Sequence, residues 1–317
     1  MQEERGGTME LWKSCIGLIG AGRVGFTLGR YLKENGLSIS GYYSRNLAHA
    51  KEAAQFTDSR YYMDLRELIK NSTVLFLTVN DGSIGTVVQE ILALTEGQNR
   101  QETICIKDKI FCHCSGAMSS AVFKELEAAG GFGYSIHPMF AIHDRQTSYQ
   151  KLSKTFFTIE GNAKHMGDVV ALFAHLGNAY QVIDAADKAL YHSGAVMASN
   201  LVIGLYAMAA DTLERCGFSR ENARQALMPL LANNAANMEH SGLAAALTGP
   251  VDRGDTETIE KHMGVLEGRE KAVYQLLSTR LLDLARQKHA ETMGQDPALA
   301  ERFASIEQLL TDSRYGL

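Results

Sequence analysis

The first half of the chain alternates short apolar runs with stretches of helical spacing. Cys15–Ile19 and Ile39–Tyr43 read as strands, and TVLFLTV (Thr73–Val79) is apolar on both parities, which predicts a strand buried on both faces. Further strands are predicted at Lys109–His113, Phe132–Ile136, Phe156–Glu160 and Tyr180–Ile183. Between them, Arg23–Glu34, Leu47–Gln55, Leu65–Ile69, Ile84–Leu94, Ser119–Ala129 and a segment near Lys164–Leu176 read as helices or helical turns. Asn35-Gly36 gives the first of these its stop signal. Such alternation predicts an α/β fold, a doubly wound parallel sheet covered by helices on both faces.

After Asp184 the strand signals end. Ala185–Arg215 reads as one long helical stretch. Ser219 is placed to N-cap a helix running to about Glu239, and Asp255 to cap one through about Leu266. Arg269–Lys288 and Ala298–Thr311 are two more. The expected organisation is therefore an α/β nucleotide-binding domain over residues 1–184 and an all-helical substrate and dimerisation domain over residues 185–317.

Composition narrows the function class. A chain of 317 residues suits two domains. With 45% hydrophobic and 21% charged residues it has enough apolar surface to fold, which excludes a mostly disordered chain. A net charge of −5 argues against a nucleic-acid partner. Ala189–Ala210 lacks Asp, Glu, Lys and Arg and is long enough to span a bilayer. It also carries His192, Ser193, Ser199, Asn200 and two glycines, so a helix buried inside the protein is expected, with no membrane partner. The apolar run Leu201–Tyr206 covers more than one helix face, which predicts a tight homodimer through the helical domain.

The five cysteines, Cys15, Cys105, Cys112, Cys114 and Cys216, are odd in number, and Met1–Trp12 has charges but no apolar core. Both features point to a reducing, cytoplasmic setting. Cys112-His113-Cys114 lacks metal-ligand spacing, and neighbouring strand residues face opposite sides, so no metal is expected. Arg5-Gly6-Gly7-Thr8 precedes Met9, and Gly-Gly codons can mimic a ribosome-binding site, so Met9 is an alternative initiator to Met1.

Gly20-Ala21-Gly22-Arg23-Val24-Gly25 is a G-x-G-x-x-G that follows a strand and opens a helix. The first glycine makes the tight turn, the second lets the backbone approach a pyrophosphate, and the third lets helix and strand pack closely. This context predicts a Rossmann-like dinucleotide site. At the end of the second strand stands Tyr43-Ser44-Arg45-Asn46, with no carboxylate to hold an NAD ribose or to repel a 2′-phosphate. Ser44 and Arg45 can bind that phosphate, so NADP (NADPH) is the expected cofactor. The loops Thr78-Val79-Asn80-Asp81 and His113-Cys114-Ser115-Gly116 leave the carboxyl ends of strands and should line the cofactor, through Val79, Asn80, Asp81, His113, Ser115 and Gly116.

Three segments carry candidate chemistry. On the long helix, His192 and Ser199 lie about 40° and 20° from Lys188 at roughly 100° per residue, and Asn200 lies on a second strip. Lys188 or His192 can serve as the proton donor, and Ser199 and Asn200 can contact substrate. His137 follows a strand end on the ligand side of the sheet and is a third catalytic candidate. Arg253, in a stiff loop before a helix, can clamp a substrate carboxylate.

Taken together, GLIGAGRVG, HCSGAMSS, HPMFAI, DKALYHSGAVMASN and LTGPVDRGDTETIEKHMGVL resemble a bacterial family of predicted oxidoreductases. That family joins a Rossmann-like domain to a helical domain of unknown function, and the resemblance spans nearly the whole chain. The family is similar to the superfamily of 6-phosphogluconate, 3-hydroxyisobutyrate, ketopantoate and pyrroline-5-carboxylate reductases. Many of those carry a catalytic Lys followed four residues on by Asn. Lys188 matches the Lys, and His192 stands where the Asn would be, a departure that puts the usual roles in question. Some related proteins act as ketopantoate reductases, which makes that substrate a candidate. HPMF also resembles a prephenate dehydrogenase motif, with Ala141 in place of Gly.

The expectation is an NADP-dependent oxidoreductase that reduces a small carbonyl acid, such as a ketopantoate-like 2-keto acid. The alternatives are a prephenate-dehydrogenase-like or imine reductase centred on His137, and a non-enzymatic NADP-binding sensor.

Overall fold

The computed structural model describes residues 9–96 and 103–311; the question of the initiator concerns residues 1–8, which lie outside them. The chain forms two compact units, Met1–Ala198 and Ser199–Leu317.

The first unit runs β1 (Cys15–Ile19), α1 (Arg23–Glu34), β2 (Ser38–Tyr43), α2 (Leu47–Phe56), β3 (Arg60–Tyr62), α3 (Leu65–Lys70), β4 (Val74–Leu77), α4 (Asp81–Thr95), β5 (Ile110–His113), α5 (Lys124–Ala128), β6 (Phe132–Pro138), β7 (Phe157–Gly161), α6 (Met166–His175), β8 (Tyr180–Val182) and α7 (Lys188–Met197). The strands form one sheet in the order β3-β2-β1-β4-β5-β6-β7-β8. The first six run parallel, as the alternation predicts.

The last two strands depart from the expected all-parallel sheet. β7 pairs antiparallel with β6, and β8 runs parallel to β7. A parallel return would need a crossover that carries the chain back to the opposite end of the strands. Here the segment after β6 contains a 3-10 helix, Ser148–Lys154, and comes back to the end it left, where Met139 N donates to Phe156 O at 2.9 Å. β3 was not anticipated, because three residues carry no readable pattern. The predicted helix over Ser119–Ala129 is a 3-10 helix, Ser120–Phe123, followed by the short α5.

Strand parity divides the core. Ile16, Leu18, Val74, Phe76, Ile110, Cys112, Tyr134, Ile136, Phe157 and Ile159 pack on one face with α1, α2 and α6. Ile19, Leu75, Leu77 and Phe111 pack on the other with α3, α4 and α5. On that second face β6 and β7 do not continue the apolar layer. They present Ser135 and His137 opposite Glu160 and Thr158, each pair in register.

α7 belongs to the sheet unit, so the compact units divide after Ala198 and not at the expected 184/185. The anchor is polar: Lys188 and Tyr191 bond to that stripe, as described below. The expected single helix over Ala185–Arg215 is a 3-10 turn, then α7, then a break at Ser199 (φ −126°, ψ −84°) before α8 (Asn200–Arg215).

The second unit continues with α9 (Arg220–Ser241), α10 (Leu243–Ala246), α11 (Pro250–Arg253), α12 (Thr256–Val265), α13 (Gly268–Lys288), α14 (Ala290–Met293) and α15 (Pro297–Thr311). Ser219 and Asp255 cap α9 and α12 as read from the sequence, accepting from Asn222 N and Thr258 N. Its core lies among α11, α12, α13 and α15, around Ile259, Met263, Leu282, Phe303 and Ile306.

α8 stays outside this core, which corrects the expectation of a buried helix. Ala185–Arg215 is long and apolar enough to cross a membrane by length and composition, and none of its apolar window is buried. Leu201 is 57% and Ile203 69% exposed. The physical reason is that the core of this unit closes on later helices, while α8 packs mainly on α9.

Candidate functional site

The glycine-rich turn has the geometry its spacing predicts. Gly20 sits at φ +110°, and a Cβ there would lie 2.8 Å from the Thr78 backbone. A Cβ at Gly25 would lie 2.3 Å from Gly20 O, so this glycine sets the approach of α1 to β1. Gly22 has nothing within 4 Å of a Cβ position, and it caps α1 without any side chain over the first amides. The helix N-terminus is thus open to an anion.

Two cavities share this turn. A groove of about 930 Å³ is lined by Gly20, Ala21, Gly22, Ser44, Arg45, Val79 and Asn80, all expected cofactor contacts. His49, one turn into α2, also lines it and had no signal in the sequence; so does one carboxylate, Glu90 on α4. A second cavity of about 810 Å³ shares Gly22, Thr78, Val79 and Asn80, adds Arg23 and Val24, and extends to Cys114, His137 and Phe140. The two lie side by side, with Gly22, Thr78, Val79 and Asn80 as their common wall, along the carboxyl ends of β1, β4, β5 and β6.

The remaining expected cofactor residues, Asp81, His113, Ser115 and Gly116, line neither cavity. They build the wall behind it. The Ser115 hydroxyl donates to Asp81 Oδ2 at 2.6 Å and accepts from Met118 N at 3.0 Å. Ser115 N donates to His113 Nδ1 at 3.2 Å, so the proton of His113 is on Nε2, facing Ser119 O at 3.2 Å. Burial pushes His113 down to about 4, so this imidazole is neutral and structural at neutral pH.

Lys188 is 2% exposed. Its ammonium donates to Ser135 Oγ at 2.8 Å and to Ser115 O at 3.1 Å. No carboxylate pairs with it directly among the described residues; Glu160 and Asp81 act on it only at longer range. Burial lowers its pKa, and those two acids and Cys114 oppose the shift. Glu160 is itself held by Ser120, whose amide and hydroxyl both donate to its carboxylate. The lysine therefore joins the β5 loop, β6 and α7, and does not open onto the cavity.

His137 does open onto it. Its Nδ1 lies 2.7 Å from Tyr191 Oη. Its Nε2 has no protein partner and is not among the enclosed unpartnered atoms, so it is open to the cavity. Burial pushes His137 down to about 4, and Lys188 and His192 lower it further against the opposing charge of Asp81. His192 meets the His137 ring edge-on at 5.9 Å. A Cβ on Gly116 would fall 2.4 Å from His192 Nδ1 and 3.0 Å from His137 Cε1, so the bare glycine is what lets the two imidazoles pack there. His192 Nδ1 is buried with no hydrogen-bond partner.

Tyr191 went unnoticed in the sequence. The available signal was spacing: Ser135 and His137 lie two apart on a strand, and Lys188 and Tyr191 lie three apart on a helix, so each pair shares a face.

The expected substrate contacts Ser199, Asn200 and Arg253 belong to the second unit. There the Ser199 hydroxyl donates to Asn200 Oδ1 at 3.1 Å. Arg253 is exposed on α11, beside Asp252, which pairs with Lys288 and His289 at 2.9 Å each. Among the described residues no three His, Cys, Asp or Glu side chains converge as a metal site requires.

Residues 1–138 match the family described as a Rossmann-like domain, and residues 155–281 match the Domain of unknown function DUF2520, which begins just before β7. No curated protein matches the chain. Among solved structures, a Thermotoga maritima protein is 24% identical, with a TM-score of 0.68 over 86% of this chain and 99% of its own. A reductive aminase from Aspergillus terreus, solved with NADPH and ethyl-5-oxohexanoate, is 15% identical, with a TM-score of 0.56 over 96% and 95%. A pyrroline-5-carboxylate reductase from Coxiella burnetii is 14% identical, with a TM-score of 0.53 over 94% and 98%. At these identities the likeness is one of fold. The chain thus joins a segment that matches the Rossmann-like model to one that matches the DUF2520 model.

Proposed function

We propose that this protein is an NADP-dependent oxidoreductase that reduces the carbonyl of a small acid of the 2-keto acid class, with His137 as the proton-bearing group at the carbonyl oxygen. The observation that carries the reading is the pair of adjoining cavities that runs from the glycine-rich turn to His137. A dinucleotide fits the first groove because Gly22 leaves its face bare and the α1 amides are uncapped. When bound, a reduced nicotinamide supplies hydride. Ser44 and Arg45 would hold a 2′-phosphate. The fold-level neighbour from Aspergillus terreus was solved with NADPH, which supports this choice of cofactor.

At the substrate end, a neutral imidazole can donate from Nε2 to a carbonyl oxygen, because its low pKa leaves it uncharged near pH 7. Arg23 lines the same cavity and would attract the substrate carboxylate. Lys188 then acts through its neighbours: it fixes Ser115 and Ser135, and its charge adds to the burial that keeps His137 neutral. An imine reductase is the second reading. A cationic iminium is best stabilised by a carboxylate, and none lines this cavity among the described residues, which favours the carbonyl.

The same reading includes a homodimer. Leu201, Ile203, Leu230 and Leu276 are each more than half exposed, and apolar faces of this kind mark interfaces.

Three measurements test these points. Calorimetric titration should give NADP at least ~10-fold tighter binding than NAD, and Arg45→Asp should remove that preference by charge repulsion; equal affinities in the wild type contradict it. An NADPH-oxidation panel of 2-keto acids (ketopantoate included), cyclic imines and prephenate should show turnover with a keto acid. On that substrate His137→Gln should lose roughly 10²-fold in kcat, with NADPH affinity unchanged. Turnover only with imines would move the assignment to the second reading, and tight NADPH binding with no turnover would favour a sensor. Light scattering at micromolar concentration should give twice the monomer mass, and a monomer contradicts the dimer.

A further inference from the structure

We infer that Tyr191 is a positioning residue for His137: its phenol donates to Nδ1 and so fixes the imidazole as the Nε2–H tautomer, giving the cavity a hydrogen-bond donor suited to ligands that only accept. The inference deepens the reductase reading by naming what sets the substrate preference at its site, and its geometry stands without cofactor or substrate.

The argument begins with the sheet. Because β7 runs antiparallel to β6, Thr158 lies directly across from His137 on the same face. α7 lays Tyr191 over this pair, with its hydroxyl 2.7 Å from His137 Nδ1. A phenol is a stronger donor than a neutral imidazole N–H, and an imidazole nitrogen is a stronger acceptor than a phenol oxygen, so at this distance the phenol proton is directed at the ring. Nδ1 then accepts, and the ring proton must be on Nε2.

The opposite arrangement is poorer. An Nδ1–H imidazole would donate to Tyr191 and turn a bare Nε2 lone pair toward the cavity. That lone pair would repel a carbonyl oxygen. The doubly protonated ring is disfavoured as well. His137 is surrounded by Lys188, His192 and His113, against which only Asp81 acts, and burial adds to the penalty. Lys188 also lies 5.5 Å from the Tyr191 ring, which holds that side chain over the sheet.

His192 cannot take the same role. Its Nδ1 is enclosed above Gly116 with no partner, so nothing sets its tautomer from that side. The cavity wall therefore offers donors at His137 Nε2–H and the Arg23 guanidinium, alongside the Asn80 amide. A keto acid presents only acceptors, at its carbonyl oxygen and its carboxylate. An alcohol or an amine would bring donors of its own to the same wall.

The test is a ring-nitrogen NMR measurement on the full, ligand-free chain labelled with 15N-histidine at pH 7. His137 is assigned by the loss of its signals in His137→Gln. The wild type should show one tautomer, protonated at Nε2 and bare at Nδ1. Tyr191→Phe should lose this single state and show exchange between the two tautomers. An Nδ1–H tautomer in the wild type overturns the inference, as does a Tyr191→Phe spectrum identical to the wild type. If Tyr191→Phe fails to fold, the wild-type tautomer still decides. No cofactor or substrate enters the measurement. A keto-acid panel without turnover would therefore count against the reductase reading and leave this inference standing, whereas a wrong tautomer would overturn this inference and remove His137 as the donor even if a keto acid is turned over.

Discussion

A buried ammonium with no carboxylate beside it organises the first unit. Lys188 is enclosed, and a charge in such a place must be hydrogen-bonded to persist. Its two acceptors come from different parts of the sheet: a backbone carbonyl in the loop after β5 and a hydroxyl on β6. Hydrogen bonds to a charged group contribute roughly 1.5–3 kcal/mol each, while desolvating the ion costs several kcal/mol. The two nearly cancel, so the lysine adds little net stability. What it supplies is position. Lys188 ties the β5 loop, β6 and α7 together, and its charge adds to the burial that holds the His137 imidazole neutral.

The polar stripe that receives Lys188 follows from a change of strand direction. Up to β6 the sheet is a Rossmann-like half of ordinary parallel design, with its open end set by strand polarity and the glycine-rich turn. β7 then reverses and brings Thr158 and Glu160 against His137 and Ser135. On that face the apolar layer gives way to groups that need partners, and α7 supplies them through Lys188 and Tyr191. The reversed strands are thus what turn a generic ligand edge into a site with a defined proton.

Much of this was legible in the chain. The G-x-G-x-x-G turn announced its own geometry, because only glycine fits the φ of Gly20 and the close approach at Gly25. Ser219 and Asp255 announced two helix starts by the local chemistry of capping. His137 was visible as a histidine after a strand end. Other features were hidden because they depend on contacts far apart in sequence. The direction of β7 is fixed by where the loop after β6 returns, which alternation does not encode. The side chain of His113, expected at the cofactor, turns inward because strand parity aims it at Phe123, with ring centres 5.4 Å apart. Tyr191 was hidden inside an apolar helix, where an aromatic residue reads as packing. α8 reads as a buried helix on composition alone, and it is exposed because the core of its unit closes on later helices.

The central claim is that burial, together with the charge of the enclosed Lys188, keeps His137 uncharged, and the pKa of His137 tests it most directly. In the folded state His137 is pushed down to about 4 from an ordinary value of 6.5. Between those values the unfolded chain binds the extra proton and the folded chain does not. The contribution of His137 to stability is therefore complete above pH 6.5 and is lost as the pH falls toward 4. Titration of the assigned His137 ring by NMR should give a midpoint near 4 in the wild type and a clearly higher one in Lys188→Met. A wild-type midpoint near 6.5, or a low midpoint that Lys188→Met leaves in place, would contradict the account.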